Sequence, residues 1–201
     1  MLKYLKNFLK KKFSYHLWIN LSFLYQYFKF NFLNRYSCRG NIDQTLKDIM
    51  KPKKDGFFLE VGAYNGFSES VSLRFEKELG WKGLLIEPNS IHFKFLKKNR
   101  SKNICINSIC LSKDFLNKKL FLKNLNQMSY IVDDKDNSYF SHYPKERINN
   151  LAKETLSGNF EKLSCKVETL YNIFKENKIK KIDLAIIDVE GSEIELLKGI
   201  D

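Results

Sequence analysis

Apolar residues gather in four short runs in the chain, at Phe57–Val61 and residues 83–87, 104–109 and 182–188, all rich in Ile, Leu, Val and Phe. Between them, over residues 68–79, Ser90–Asn99 and residues 170–177, apolar positions recur at helical spacing. Strands that are apolar on both sides and alternate with helices predict a parallel sheet covered on both faces, an α/β fold. Residues 112–165 interrupt this pattern with polar sequence rich in Asn and Asp. Within that stretch, residues 120–122 and Tyr130–Val132 read as short strands and residues 144–156 as containing a helix. Upstream, residues 34–55 read as a linker with a short helix over residues 44–50, ended by Lys51-Pro52. No internal repeat is present.

The first 33 residues follow another pattern. Leu2, Leu5, Leu9, Phe13 and Leu17 recur at helical spacing, with Lys3, Lys6, Lys10, Lys11 and Lys12 between them. From residue 15 to residue 33 the segment is apolar nearly all round, with Trp18, Tyr25 and Tyr27, but Asn20, Gln26, Lys29 and Asn31 break it. It is too polar for a membrane-spanning helix, which wants about 20 clean apolar residues. It also lacks the small-residue cleavage site of a secretory signal. Two arrangements fit: an interfacial helix with lysines toward anionic headgroups, or a pair of helices packed on the domain. The chain therefore divides into a basic, aromatic, helical N-terminal extension and linker, residues 1–54, and a folded domain, residues 55–201.

Charge sharpens the division. Residues 1–54 hold twelve Lys and Arg against Asp43 and Asp48, a net +10 of the chain's +12; residues 55–201 carry 23 basic and 21 acidic groups. A nearly neutral folded domain argues against one that grips nucleic acid, and places any attraction to an anionic membrane in residues 1–33. The expected location is the cytoplasm, at the inner face of the membrane if that attraction operates. Cys38, Cys105, Cys110 and Cys165 show no CxxC spacing, and His16, His92 and His142 are scattered. Free buried thiols in a reducing compartment are expected, with no metal site and no histidine-based mechanism.

The chemistry lies where strands end, since ligands of open parallel sheets bind at the strand tips. The first run ends in Glu60-Val61-Gly62, and Gly62 and Gly66 bracket a turn into a helix. Residues without a Cβ let backbone approach a ligand closely, and the free N–H groups of a helix start favour an anionic group. The spacing is E-x-G-x-x-x-G, not the G-x-G-x-x-G of nicotinamide-binding loops. A purely structural turn would also explain the glycines. The second run ends at Glu87, 25 residues after Gly62, where a carboxylate can accept both hydroxyls of a ribose. Together the two features suggest a nucleoside ligand whose charged end sits at the glycine loop. The fourth run ends in Asp188-Val189-Glu190-Gly191, followed by Glu193 and Glu195. Helix-start acids account for Glu193 and Glu195 but poorly for Asp188. Asp188 and Glu190, two apart, would project together into the cleft if the segment is extended.

The stretches "GFFLEVGAYNG", "FEKELGWKGLLIEPN", "VETLYNIF" and "IDLAIIDVEGSEIELLKG" resemble the FkbM-type family of S-adenosylmethionine-dependent methyltransferases over about residues 56–199. The resemblance implies a Rossmann-like class I methyltransferase sheet, S-adenosyl-L-methionine as cofactor, and methyl transfer to a hydroxyl of a sugar, glycan or small metabolite. It implies that Glu60, Gly62 and Gly66, with the loop residues Ala63, Tyr64 and Asn65, hold the methionine end of the cofactor. It implies that Glu87, beside Pro88, takes the ribose hydroxyls, that Ser108 and Ile109 border the adenine, and that Asp188 and Glu190 line the reaction centre. Three departures stand out. Ser37 to Asp43 only echo a Ser-Gln-x-Gly-x-Asp stretch; Tyr64 and Asn65 replace a more usual Asn-Asp pair; and about three further strands, which the resemblance implies after the fourth, are expected to be absent from these 201 residues. The fourth strand is thus expected to be an exposed apolar edge unless a second subunit completes the fold as a homo-oligomer. The alternative to an active O-methyltransferase is a truncated, inactive chain that binds the cofactor or serves as a membrane-associated interaction module.

Overall fold

The computed structural model describes residues 38–124, 129–139 and 161–201, with Leu21, Leu24, Tyr25 and Phe28. Apart from those four residues, the expectation for residues 1–33 lies outside the described residues, as does the helix expected over residues 144–156. Among the described residues no helix is long and apolar enough to cross a membrane.

The helices are α1 (Ile42–Met50), α2 (Ser72–Leu79), α3 (Ser90–Asn99), α4 (Leu170–Glu176) and α5 (Glu193–Leu197). The strands are β1 (Phe57–Val61), β2 (Lys82–Ile86), β3 (Ile104–Ile106), β4 (Ile109–Cys110), β5 (Phe121–Asn124), β6 (Tyr130–Val132), β7 (Glu161–Ser164), β8 (Val167–Glu168) and β9 (Leu184–Ile187). The main sheet has the order β3-β2-β1-β9, and every pairing in it is parallel. Alternation along β1 and β2 explains the layers. Leu59, Val61, Leu84 and Ile86 face Leu170 and Ile173 of α4 and Leu196 of α5. Phe58 and Leu85 face Val71, Phe75 of α2 and Leu96 of α3. The α/β reading of the apolar runs therefore holds.

Two boundaries differ from expectation, each because a side chain claims the backbone. The run over residues 104–109 is not one strand. Asn107 Nδ2 donates to the carbonyls of Glu87 (2.7 Å) and Pro88 (3.0 Å), and the chain leaves the main sheet there. It resumes as β4, paired with β8 in a separate two-stranded sheet. The helix expected from residue 68 begins only at Ser72, because Asn65 Oδ1 accepts the N–H of Phe67 and Ser68 and Glu60 Oε1 accepts that of Val71. The polar insertion contains β6-β5-β7, an antiparallel sheet around Leu122 and Ile131; β6 falls on the strand expected at Tyr130–Val132 and β5 overlaps the one expected at residues 120–122, while β7 had no clear apolar signature. Among the described residues β9 pairs only with β1, so it forms an edge, with Ile194 (72% exposed) and Leu197 (48%) uncovered nearby.

The helix α1 docks on α2 through ions. Asp43, 2% exposed, receives Arg74 Nε at 2.8 Å, and Lys47 pairs with Glu78. Residues 42–50 thus pack on the domain.

Candidate active site

The turn after β1 is built from behind. Glu60 points to the side of the sheet that α2 and α3 cover, where its carboxylate accepts from Ser70 Oγ (2.9 Å), Val71 N (3.1 Å) and Ser72 Oγ (2.5 Å). Both serines also receive hydrogen bonds from Arg100, at 3.0 Å from Nη1 and 2.9 Å from Nη2. Arg100 is fully buried, and its Nε meets Glu76 Oε2 at 2.5 Å while Nη1 reaches the carbonyl of Gly66 at 3.1 Å. A guanidinium suits this place because its planar fork can donate in several directions at once. The result is a buried Glu60–serine–Arg100–Glu76 network that clamps the glycine turn.

The two glycines have internal causes. At Gly62, with φ +85°, a Cβ would stand 2.0 Å from the carbonyl oxygen of Asp188; at Gly66, with φ +70°, it would meet Leu96 Cδ1 at 2.5 Å. Gly62 therefore lets the ends of β1 and β9 close together, and Gly66 lets α3 press on the turn.

Glu87, just past β2, is 6% exposed. Each of its oxygens accepts one backbone N–H, Oε2 from Tyr64 (2.8 Å) and Oε1 from Asn89 (2.8 Å). Burial pushes its carboxyl up to about 8, against the pull of the two N–H groups. Because this lies above the ordinary 4.5, its contribution to stability is present below 4.5 and lost as pH rises through about 8. His92 beside it is held neutral, pushed down to about 4 by burial. Tyr64 donates to Glu87 from a left-handed backbone, φ +50°, an unusual conformation for a tyrosine.

At the tip of β9 the backbone turns sharply: Glu190 has φ +56° and Gly191 +110°. The extended segment expected across Asp188 and Glu190 is therefore absent, so strand alternation is not what brings the two acids together. Glu193 Oε1 accepts the N–H groups of Val189 and Gly191 at 3.3 Å and stabilises that turn. Glu195 pairs with Ser112 and Lys198. These two acids have the structural roles that helix-start chemistry anticipates, whereas Asp188 and Glu190 line the cleft.

One cavity of about 480 Å³ joins these tips. Its walls include Glu60, Gly62, Ala63, Tyr64, Glu87, Pro88, Ser108, Ile109, Asp188 and Glu190, residues scattered through the sequence. Asn65 and Gly66 stand behind the wall, where Asn65 ties the turn together. Sequence reasoning missed His92, Leu122, Ser129 and Ile131 in the lining, and Arg100 behind it. Arg100 sits in "KKNRSK", which reads as a solvated basic stretch. Its one signal is an arginine in a run of lysines. A cysteine nucleophile does not fit the site, since burial pushes Cys110 up to about 12 and Cys165 to about 11. Among the described residues no cluster of three or more His, Cys, Asp or Glu could hold a metal ion.

A family profile described as "Methyltransferase FkbM domain" matches residues 60–201. Methyltransferase sdnD of Sordaria araneosa is 24% identical over 169 residues, covering 77% of this chain and 64% of that protein. The chain thus spans 64% of the length of the curated relative it matches. A crystal structure of a SAM-dependent methyltransferase from Geobacter sulfurreducens in complex with S-adenosyl-L-homocysteine shows a slight likeness. It has 13% identity over 36% of this chain and 30% of the other, with a TM-score of 0.30, too slight to bear on this one.

Proposed function

The chain belongs to the FkbM methyltransferase family, and from that premise we propose that it binds S-adenosyl-L-methionine at the strand tips and methylates a hydroxyl of a sugar, glycan or small metabolite. The observation that carries the reading is Glu87. It is a buried carboxylate with one backbone donor on each oxygen, so each oxygen keeps a lone pair for one hydroxyl of a vicinal diol. The cavity fits the cofactor in kind: its volume lies in the usual range for small-molecule sites, about 300–1,000 Å³, and its lining combines that diol receptor with an apolar wall at Ile109, Leu122 and Ile131. Bound there, the cofactor supplies an electrophilic methyl group on a positively charged sulfur.

The chain's residues do the rest. Glu87 orients the ribose; the backbone of Gly62, Ala63 and Tyr64 lies beside the amino-acid end; Ser108 and Ile109 border the adenine. Glu190 accepts the proton of the acceptor hydroxyl, and Asp188 shapes the pocket around it. The strained backbone of Glu190 is consistent with a side chain aimed for a purpose.

Calorimetry with S-adenosyl-L-methionine, then methyl release over a panel of hydroxylated acceptors, tests the reading. Glu190→Gln is expected to lower turnover by about 10²–10⁴-fold, the usual worth of general base catalysis, with cofactor affinity little changed. Full turnover in that variant removes the base role, and no cofactor binding by the unaltered chain removes the reading as a whole.

The carboxyl of Glu87 adds a pH signature. Its ionised form accepts both hydroxyls, and burial holds it protonated up to about 8. Cofactor affinity should therefore rise with pH by up to about tenfold per unit below that value and level off above it. Glu87→Gln should bind weakly at every pH. A flat profile in the unaltered protein contradicts the assignment.

A further inference from the structure

Glu87 is the centre of a closed circuit of residues from three elements. Its Oε1 accepts from the N–H of Asn89; Asn89 Oδ1 caps α3 by accepting from Ile91 N (2.9 Å) and His92 N (3.4 Å). The ring of His92 then turns back edge-on to Tyr64, with centroids 4.3 Å apart and planes at 68°. Tyr64 N–H closes the circuit on Glu87 Oε2 at 2.8 Å. His92 Nδ1 lies 4.0 Å from Glu87 Oε1, and the residue is 2% exposed.

Packing alone does not account for a histidine here. Among the described residues its buried Nε2 has no hydrogen-bond partner, a cost that phenylalanine at the same place would avoid. What an imidazole adds is a polar nitrogen on the edge facing Glu87. In the neutral tautomer with its proton on Nδ1, that edge turns the positive end of an N–H dipole toward Glu87 Oε1 across 4.0 Å, beyond hydrogen-bond length. It therefore favours one orientation of the ionised carboxylate without taking the lone pair kept for the ribose, and it stays uncharged, as its burial requires.

We propose that His92 is a positioning residue that fixes Glu87 in the orientation presenting one oxygen to each hydroxyl of the cofactor's ribose. The inference rests on the nucleoside reading of the cavity and adds to it a residue that controls sugar selectivity. His92 also lines the cavity, and the role assigned to it here is the one exerted through Glu87.

The test is the ratio of affinities for S-adenosylhomocysteine and its 2′-deoxyribose counterpart, measured by calorimetry on the full chain. The unaltered protein should prefer the ribose ligand by on the order of tenfold or more, because a site built to pair a hydroxyl rejects the analogue that lacks it. His92→Phe keeps the volume and the ring against Tyr64 but removes the nitrogen. It should lower that preference at least about fivefold while affinity for the deoxy ligand stays nearly constant. His92→Asn, whose amide nitrogen can stand in for Nδ1, should keep most of the preference. An unchanged ratio in His92→Phe, an equal loss of both affinities, or a loss as large in His92→Asn overturns the positioning role and leaves the cofactor reading intact. If the unaltered protein binds neither ligand, both fall together.

Discussion

Arg100→Met is expected to destabilise the protein by about 3–5 kcal/mol, the usual cost of removing one partner from a buried ion pair. The guanidinium is fully buried, pairs directly with Glu76 and donates to Ser70 and Ser72, which in turn donate to Glu60. Without it, the buried carboxylate of Glu60 loses the cation behind its two serines, Glu76 keeps only Lys77 at 3.8 Å and the amide of Asn103, and the carbonyl of Gly66 loses a donor. Methionine fills much of the volume, so the loss reports on charge and hydrogen bonding more than on a cavity. For a chain of this size the melting temperature should fall on the order of 10 °C, followed by circular dichroism. Arg100→Lys should rescue little, because an ammonium cannot donate along the directions a planar fork covers. Cofactor affinity should fall in both variants, since the same network clamps the glycine turn. A melting temperature within a degree or two of the parent would show that the network is not what holds the turn.

Gly62→Ala should be comparably severe for a different reason. The backbone at Gly62 is left-handed, φ +85°, which costs an L-residue on the order of 1–3 kcal/mol. The added methyl would also sit 2.0 Å from the Asp188 carbonyl oxygen, a backbone atom that no rotamer change can move. Relief requires the ends of β1 and β9 to part, which breaks the Asp188 N–H to Val61 carbonyl bond at 3.0 Å. The expected sum exceeds about 3 kcal/mol, among the larger values for a single methyl group. Because the parting displaces Asp188, methyl transfer should be lost even where residual fold remains. Gly66→Ala is the control: there the added atom meets the side chains of Leu96 and Arg100, so the loss should be smaller. Urea unfolding of the two variants ranks them, and a milder effect at residue 62 than at residue 66 would reverse the argument.

The same glycine shows how far a residue pattern carries. The prospect of a ligand close to bare backbone was legible at Gly62, which does line the cavity, but its strongest constraint is a strand end far along the chain. Glu87 was legible because it ends an apolar run at a spacing that ribose-binding carboxylates share. Its hydrogen-bond donors were partly hidden, since the N–H of Tyr64 reaches it only through a left-handed turn. Asp188 and Glu190 were legible as acids at a strand tip, but the turn that seats them was not, because a positive φ at a glutamate leaves no mark in composition.

By itself, then, the order of residues determined the parallel sheet, the helices on its two faces and the acids at its tips, because hydrophobic periodicity and strand-end chemistry act over a few neighbours. Tertiary structure alone decided which residues close the cavity, the split of the third apolar run, the antiparallel sheet beside the cavity and the Arg100 network. Those depend on contacts between residues distant in the sequence, 20 positions for Asn107 and Glu87 and 30 for Arg100 and Ser70, and on burial, which sets whether a charge is solvated or must be paired.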